Sequence, residues 1–184
     1  MTQIKKLNIG CGTDIRKGYI NLDSMAIPGV DVVHDIEKTP LPFPDNEFDE
    51  ILCQDVLEHV EYLPILKDLH RILKTGGKLN IRVPHFTSKN NYIDPTHRKL
   101  FSINTFDFFI KNSKRREERK YYFDFCFDHI ASSLITFRRK PFIVIYNRLV
   151  SPIVNHNQYM KELYETTGMS RLFPAENILI TLIK

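Results

Sequence analysis

An α/β fold built on a mostly parallel sheet is the class this sequence predicts, and three observations carry it. Residues 6–14 (KLNIGCGTD) run an apolar strand into a Gly-x-Gly turn, and residues 19–23 (YINLD) follow as a second short strand that ends on a carboxylate. Residues 48–84 alternate strand, amphipathic helix and strand, the pattern of a sheet covered by helices. Residues 178–183 (ILITLI) read as a last apolar strand.

Each element has a local reason. Glycines at 10 and 12 free the backbone for positive φ and let a ligand approach, because no Cβ stands in the way. Only six residues separate Gly12 from Tyr19, fewer than the dozen or so a helical crossover needs, so a single turn or a loop is expected there. Residues 30–36 (VDVVHDI) read as a short buried strand ending near Asp35, and a proline-rich loop leads to Phe48. Residues 48–53 suit a central parallel strand, with Gln54 and Asp55 at its carboxyl end. Residues 64–75 place Ile65, Leu66, Leu69, Ile72 and Leu73 on one stripe, a helical period, with Pro64 at the start and Gly76-Gly77 as its expected end. Residues 78–84 form a fifth strand stopped by Pro84.

The second half is less regular. Residues 85–101 read as a long polar loop, and a loop of that length commonly carries function. A helix through Phe106, Phe109 and Ile110 follows, capped from residues 102–105. The alternating aromatics of residues 121–127 predict a strand, with residues 134–137 as its hairpin partner or extension. Residues 142–150 fit helix or strand, and residues 158–166 fit a helix.

The run Leu7-Asn8-Ile9-Gly10-Cys11-Gly12-Thr13 resembles motif I of class I S-adenosylmethionine-dependent methyltransferases, in particular the small methyltransferase-domain type. The dinucleotide fingerprint fits less well: Ile15 stands where its third glycine belongs, and Asp23 comes too soon after Gly10. A pyrophosphate needs the N-terminus of the helix that this connection lacks, whereas S-adenosylmethionine carries no phosphate. The resemblance covers residues 4–84 well, residues 85–102 moderately, and the remainder through its closing strand. It implies a Rossmann-like sandwich around a mostly parallel seven-stranded sheet with a shortened first helix. One domain over residues 1–184 is expected, with residues 85–150 holding a substrate-side loop and insertion.

The resemblance also assigns residues. Gly10, Cys11 and Gly12 would lie under the methionine part of S-adenosylmethionine, and Asp23 would accept from the ribose hydroxyls. Asp35 would accept from the adenine amino group, while the Ile36 N–H contacts the ring. Gln54 and Asp55 would face the methionine ammonium and the sulfonium. Each acid also has an ordinary use as a turn or cap residue. His59 is expected as a hydrogen-bonding support under the cofactor.

Methyl transfer needs alignment and exclusion of water, and a general base only for a hydroxyl or protonated amine acceptor. His85, Asp94, His97 and Arg98 in the long loop are the candidates, with Asp94 orienting the imidazole of His97 or accepting from it. The segment around Asp94-Pro95-Thr96-His97 resembles one found in bacterial methyltransferase-domain proteins, which suggests a small-molecule or glycan-type acceptor. No metal-ligand spacing stands out, so no metal is expected.

Composition narrows the rest. A chain of 184 residues with 42% apolar residues can bury a sizeable core, and a net charge of +4 is only mildly basic. Three cysteines at positions 11, 53 and 126 fit a reduced cytoplasmic setting better than a disulfide framework. No secretory signal and no membrane span are expected. Residues 111–120, rich in Lys and Arg and followed by aromatics, leave nucleic-acid methylation as an alternative, less favoured because the run reads as a solvated face. A catalytically silent S-adenosylmethionine-binding module is the other alternative.

Overall fold

The computed structural model describes residues 4–138 and 144–184. Its seven strands are β1 (Lys6–Ile9), β2 (Ile20–Asp23), β3 (Val32–Val33), β4 (Phe48–Gln54), β5 (Leu73–Pro84), β6 (His129–Thr136) and β7 (Asn177–Ile183). They form one sheet in the order β3-β2-β1-β4-β5-β7-β6. Strands β1 to β5 are parallel, and β7 runs antiparallel between β5 and β6. The expected Rossmann-like architecture with a closing antiparallel strand is therefore present. The carboxyl ends of β1 to β5 consequently share one edge, where open α/β sheets bind their ligands.

No helix connects β1 to β2, as the six-residue spacing predicts; turns fill residues 11–19. Helix α1 (Tyr62–Ile72) is the connection between β4 and β5 and buries Ile65, Leu66, Leu69 and Ile72. These share one core with Leu7, Ile9, Ile51, Cys53, Leu79, Ile81 and Val83, alternate residues of β1, β4 and β5. The opposite face of the sheet is polar. Lys6 pairs with Glu50 at 2.8 Å, Asn80 donates to Glu50 at 3.1 Å, and Thr181 donates to Asn80 at 2.8 Å. Parallel sheets usually need cover on both faces; here the turn between β1 and β2 supplies part of it, Asn8 donating to Asp14 C=O at 2.8 Å and Lys6 Nζ standing 5.3 Å from the Tyr19 ring centroid, and Leu52 on this face is buried.

Several expectations change. Helix α1 ends at Ile72 rather than at Gly76-Gly77, because the backbone at residues 72–73 pairs with the start of β4: Glu47 N–H donates to Ile72 C=O at 2.8 Å. Strand β3 keeps two residues, and Val33 is exposed, so it is an edge strand rather than a buried one. Residues 121–127 make no strand. Arg116 donates to the carbonyls of Phe125 and Phe123, and Phe127 alone bridges to Ile110. Phe125 and Phe127 pack in the core, with Phe123 against it; this alternation produced the strand-like pattern. Strand β6 starts at His129 and includes residues 134–136.

The long loop holds a short helix α2 (Asn90–Ile93) and closes where His85 bridges Phe101. A 3-10 helix (Thr105–Phe109) stands where the capped helix was expected, followed by α3 (Lys114–Glu118). Helix α4 (Val144–Val154) settles residues 144–150 as helical, while residues 142–143 lie outside the described residues. Helix α5 (Gln158–Thr166) has its expected bounds, capped by Asn157 accepting from Met160 N–H at 2.9 Å, and α6 (Met169–Leu172) follows.

Candidate active site

The turn after β1 is built by two left-handed glycines. Gly10 has φ +62°, and a Cβ there would stand 2.5 Å from Cγ2 of Val56, a core residue of the loop after β4. Gly12 has φ +48°, and a Cβ there would meet nothing within 4 Å. One glycine thus lets the chain pass close over Val56, and the other faces open space. Cys11 N–H donates to Leu22 C=O at 3.0 Å, and Gly12 N–H donates to Oδ2 of Asp23 at 2.7 Å. Asp23 Oδ1 accepts from Met25 N–H at 3.0 Å. The carboxylate at the end of β2 is therefore fixed against the glycine turn, with acceptor capacity left over.

This cradle fits S-adenosylmethionine better than a dinucleotide. No helix N-terminus follows Gly12, so the turn offers no dipole for a pyrophosphate. Asp35, just past β3, caps its own turn by accepting from Glu37 N–H at 3.1 Å and lies 3.9 Å from Lys38 Nζ; its side chain is 45% exposed. Ile36 beside it is buried. Gln54 ends β4, its side chain accepting from Arg16 at 3.4 Å. Asp55 follows with φ +55°, a strained conformation for a residue with a Cβ and one that clusters at functional sites. Arg82 at the end of β5 clamps it through both carboxylate oxygens, Nε lying 2.9 Å from Oδ1. Arg82 was not singled out by the sequence; only its parity on β5, next to β4, places it there.

Beyond Asp55 a pocket of about 340 Å³ opens at the ends of β4 and β5, lined by Asp55, Glu58, His59, Asn90, Asp94 and His97 among others. Two loops make it. The N–H groups of Arg98 and Lys99 donate to Glu58 C=O at 2.7 and 3.2 Å, which straps residues 94–99 against the loop after β4. The rings of His59 and His97 then meet edge to face, centroids 4.6 Å apart. Asp94 Oδ1 accepts from Thr96 N–H and Oγ1, and its Oδ2 lies 3.8 Å from His97 Nε2. The hydrogen bonds from Thr96 hold the Asp94 carboxyl below its usual range. Glu58 is fully buried, and burial pushes its carboxyl up to about 8. Glu58 was not singled out by the sequence; nothing local shows that residues 94–99 fold back over it.

His85 does not join this group. It is buried, with Nδ1 at 2.8 Å from Thr87 Oγ1 and Nε2 at 3.1 Å from Glu165 Oε1. Glu165 also accepts from Ser102 Oγ at 2.6 Å and from Ile103 N–H at 2.7 Å, tying the long loop to α5. Burial alone would raise the Glu165 carboxyl, but the bonds from His85, Ser102 and Ile103 outweigh it and hold the group below its usual range.

The basic run is largely engaged by the protein itself. Lys111 faces Asp128 at 3.7 Å, Arg115 faces Asp107 at 3.6 Å, and Lys120 faces Glu117 at 3.7 Å. Tyr121 and Tyr122 are exposed beside Arg119. No helix among the described residues is long and apolar enough to cross a membrane.

Comparison with known proteins agrees with this geometry. Residues 5–81 match the family model described as a methyltransferase domain. An uncharacterised protein of Methanocaldococcus jannaschii is 40% identical over 82 residues, 40% of this chain and 36% of that protein. A demethylmenaquinone methyltransferase of Lysinibacillus sphaericus is 36% identical over 75 residues, 40% of this chain and 30% of that protein. The matched stretch thus spans about a third of the length of these relatives. The structure of a SAM-dependent methyltransferase from Archaeoglobus fulgidus superposes with a TM-score of 0.62 at 18% identity, over 100% of this chain and 87% of that one. Residues 5–81 are thus similar to a methyltransferase domain, and the chain has the fold of the class I S-adenosylmethionine-dependent methyltransferases.

Proposed function

We propose that this chain transfers a methyl group from S-adenosylmethionine to an oxygen or nitrogen atom of a small-molecule or glycan-type acceptor. The observation that carries the reading is the continuity of two halves along one sheet edge. The Gly10–Gly12 turn with Asp23 forms a nucleoside cradle, and Asp55 joins it to a pocket lined by ionisable side chains.

In this reading Gly10, Cys11 and Gly12 support the methionine part, and Asp23 accepts from the ribose hydroxyls. Asp35 and the Ile36 N–H hold the adenine, while Gln54 and the clamped Asp55 face the methionine ammonium. The cofactor supplies an activated methyl group on a sulfonium. Most of what the protein contributes is alignment and exclusion of water. His97 receives the acceptor's proton, with Asp94 orienting the ring; His85 holds the long loop in place rather than touching the acceptor. A neighbouring cleft of about 620 Å³ is lined by Arg82, Lys89, Arg138 and Glu176, with Arg82 paired to Asp55 and Arg138 to Glu176 at 3.4 Å. The internally paired basic run gives a nucleic-acid acceptor less support.

The test is calorimetric titration of S-adenosylmethionine and S-adenosylhomocysteine, followed by transfer of labelled methyl to a panel of hydroxylated, amino and glycan acceptors. Saturable binding with turnover on one class supports the reading. Binding with no turnover on any acceptor, oligonucleotides included, points to a silent binding module, and turnover on oligonucleotides alone to nucleic-acid methylation.

A further inference from the structure

We propose that Glu58, His59 and His97 bind a first-row divalent metal ion of the zinc or manganese kind, whose open positions take an oxygen of the methyl acceptor. Its placement at the acceptor pocket rests on the methyltransferase reading; the metal site itself stands on these three residues.

A ligand atom from each of the three lies within 4.8 Å of the others. Ligands around one zinc ion, each about 2.0–2.2 Å from it, sit roughly 3–4 Å apart, so closure asks for side-chain shifts under about 1 Å. The second observation is independent of spacing. Both carboxylate oxygens of Glu58 and Nδ1 of His97 are buried without a hydrogen-bond partner. Glu58 is 0% exposed, and the His97 side chain 7%. Two buried carboxyl oxygens without a hydrogen-bond partner are costly whether the group is ionised or protonated. A dication between the carboxylate and two imidazoles removes that cost.

The surrounding hydrogen bonds prepare the imidazoles as ligands. The Thr96 hydroxyl donates to Asp94 Oδ1 at 2.6 Å, so its hydrogen is spent, and it accepts from His59 Nδ1 at 2.8 Å. That fixes the His59 tautomer with a bare lone pair on Nε2. Asp94 Oδ2 stands 3.8 Å from Nε2 of His97, which favours the proton on that nitrogen, while Nδ1 is buried without a hydrogen-bond partner. Carboxylates and hydroxyls behind metal-bound histidines play this part, and they set both tautomer and ring orientation. Two imidazoles and one carboxylate suit zinc, iron or manganese; magnesium prefers oxygen ligands and keeps its waters. An ion held there would make His97 a ligand rather than the base, and would acidify a coordinated acceptor hydroxyl so that its proton passes to solvent.

The experiment uses the full chain, stripped with a chelator and titrated calorimetrically with Zn²⁺ and with Mn²⁺, with Co²⁺ as a spectroscopic probe. One ion per chain is expected, with visible ligand-field bands for the cobalt form. Thr96→Val should weaken binding roughly 10–100-fold, the usual effect of losing an outer partner, and Glu58→Gln or His97→Ala by more than about 100-fold. Glu58→Gln is nearly isosteric, and circular dichroism verifies that each variant is folded. No saturable binding of either ion, binding of Mg²⁺ alone, or affinity unchanged in all three variants overturns the proposal. S-adenosylmethionine titrated into the metal-free chain separates the two readings. Cofactor binding without metal binding overturns the metal site and leaves the methyltransferase reading. Metal binding without cofactor binding supports the site and removes its link to methyl transfer.

Discussion

Gly10→Ala and Gly12→Ala should fail in different ways, and the difference is legible in the turn after β1. Both glycines have positive φ, so an alanine at either costs about 1–2 kcal/mol of backbone strain. At Gly10 the new methyl would also lie 2.5 Å from Cγ2 of Val56, inside the core. Overpacking of that kind adds about 1–3 kcal/mol. At Gly12 nothing stands within 4 Å, so the strain is the whole effect on folding. For a domain of this size each kcal/mol lowers Tm by roughly 2–4 °C, which places Gly12→Ala about 2–8 °C below the wild type and Gly10→Ala clearly lower. Cofactor affinity separates them further. On the proposed reading the methyl of Gly12→Ala would project into the space taken by S-adenosylmethionine, and a penalty of about 1.4 kcal/mol weakens binding tenfold. Scanning calorimetry gives the first quantity and titration calorimetry the second. A Gly12→Ala chain that folds and binds S-adenosylmethionine within twofold of wild type would refute the cradle. A Gly10→Ala chain no less stable than Gly12→Ala would refute the wedge against Val56.

The other predictions concern single side chains. Asp23→Ala removes the acceptor for Gly12 N–H and the proposed ribose contact; S-adenosylmethionine affinity should fall at least about tenfold with the circular dichroism spectrum retained, and unchanged affinity would sink the assignment. His97→Ala should lower turnover far more than cofactor affinity, read from steady-state kinetics beside titration; an unfolded variant would mean that the ring only orders its loop. Glu165 titrates below its ordinary range in the folded chain, so its stabilising contribution is full above the unfolded value and is lost as pH falls through the lowered folded value. Glu165→Gln should therefore flatten the acid limb of a urea-midpoint profile, and an unchanged slope below pH ~4.5 would contradict the anchor at His85, Ser102 and Ile103.

The sequence is most informative where structure is local. The apolar strand into Gly10 and Gly12, the acid at the tip of β2, the stripe on α1 and the alternation of β7 are each set by neighbours a few residues away. Where distant backbone decides, the reading fails. Helix α1 stops at Ile72 because Glu47 N–H, just before β4, claims the Ile72 carbonyl, not because a glycine arrives. Residues 121–127 alternate like a strand, yet the guanidinium of Arg116 takes the carbonyls a neighbouring strand would have paired. The candidate site divides in the same way. Gly10, Gly12 and Asp23 were legible from motif and spacing, and the structure joins Gly12 to Asp23 by one hydrogen bond. His85 looked like a candidate by its place after β5, but Thr87 and Glu165 engage both its ring nitrogens. Glu58 was passed over because its role depends on a loop some forty residues later folding back onto its carbonyl. The acid-histidine pair at 58–59, just past a strand end, was the one local signal.

The most direct measurement is a thermal-shift comparison of S-adenosylmethionine, S-adenosylhomocysteine, NAD and ATP, each near saturation. A ligand at about 100 times its dissociation constant stabilises by roughly 2.7 kcal/mol. At roughly 2–4 °C per kcal/mol, that is a rise of about 5–11 °C. The cradle of Gly10, Gly12 and Asp23 predicts that rise with the two S-adenosyl ligands and none with the phosphate-bearing pair. A rise with NAD or ATP, or with none of the four, would contradict it.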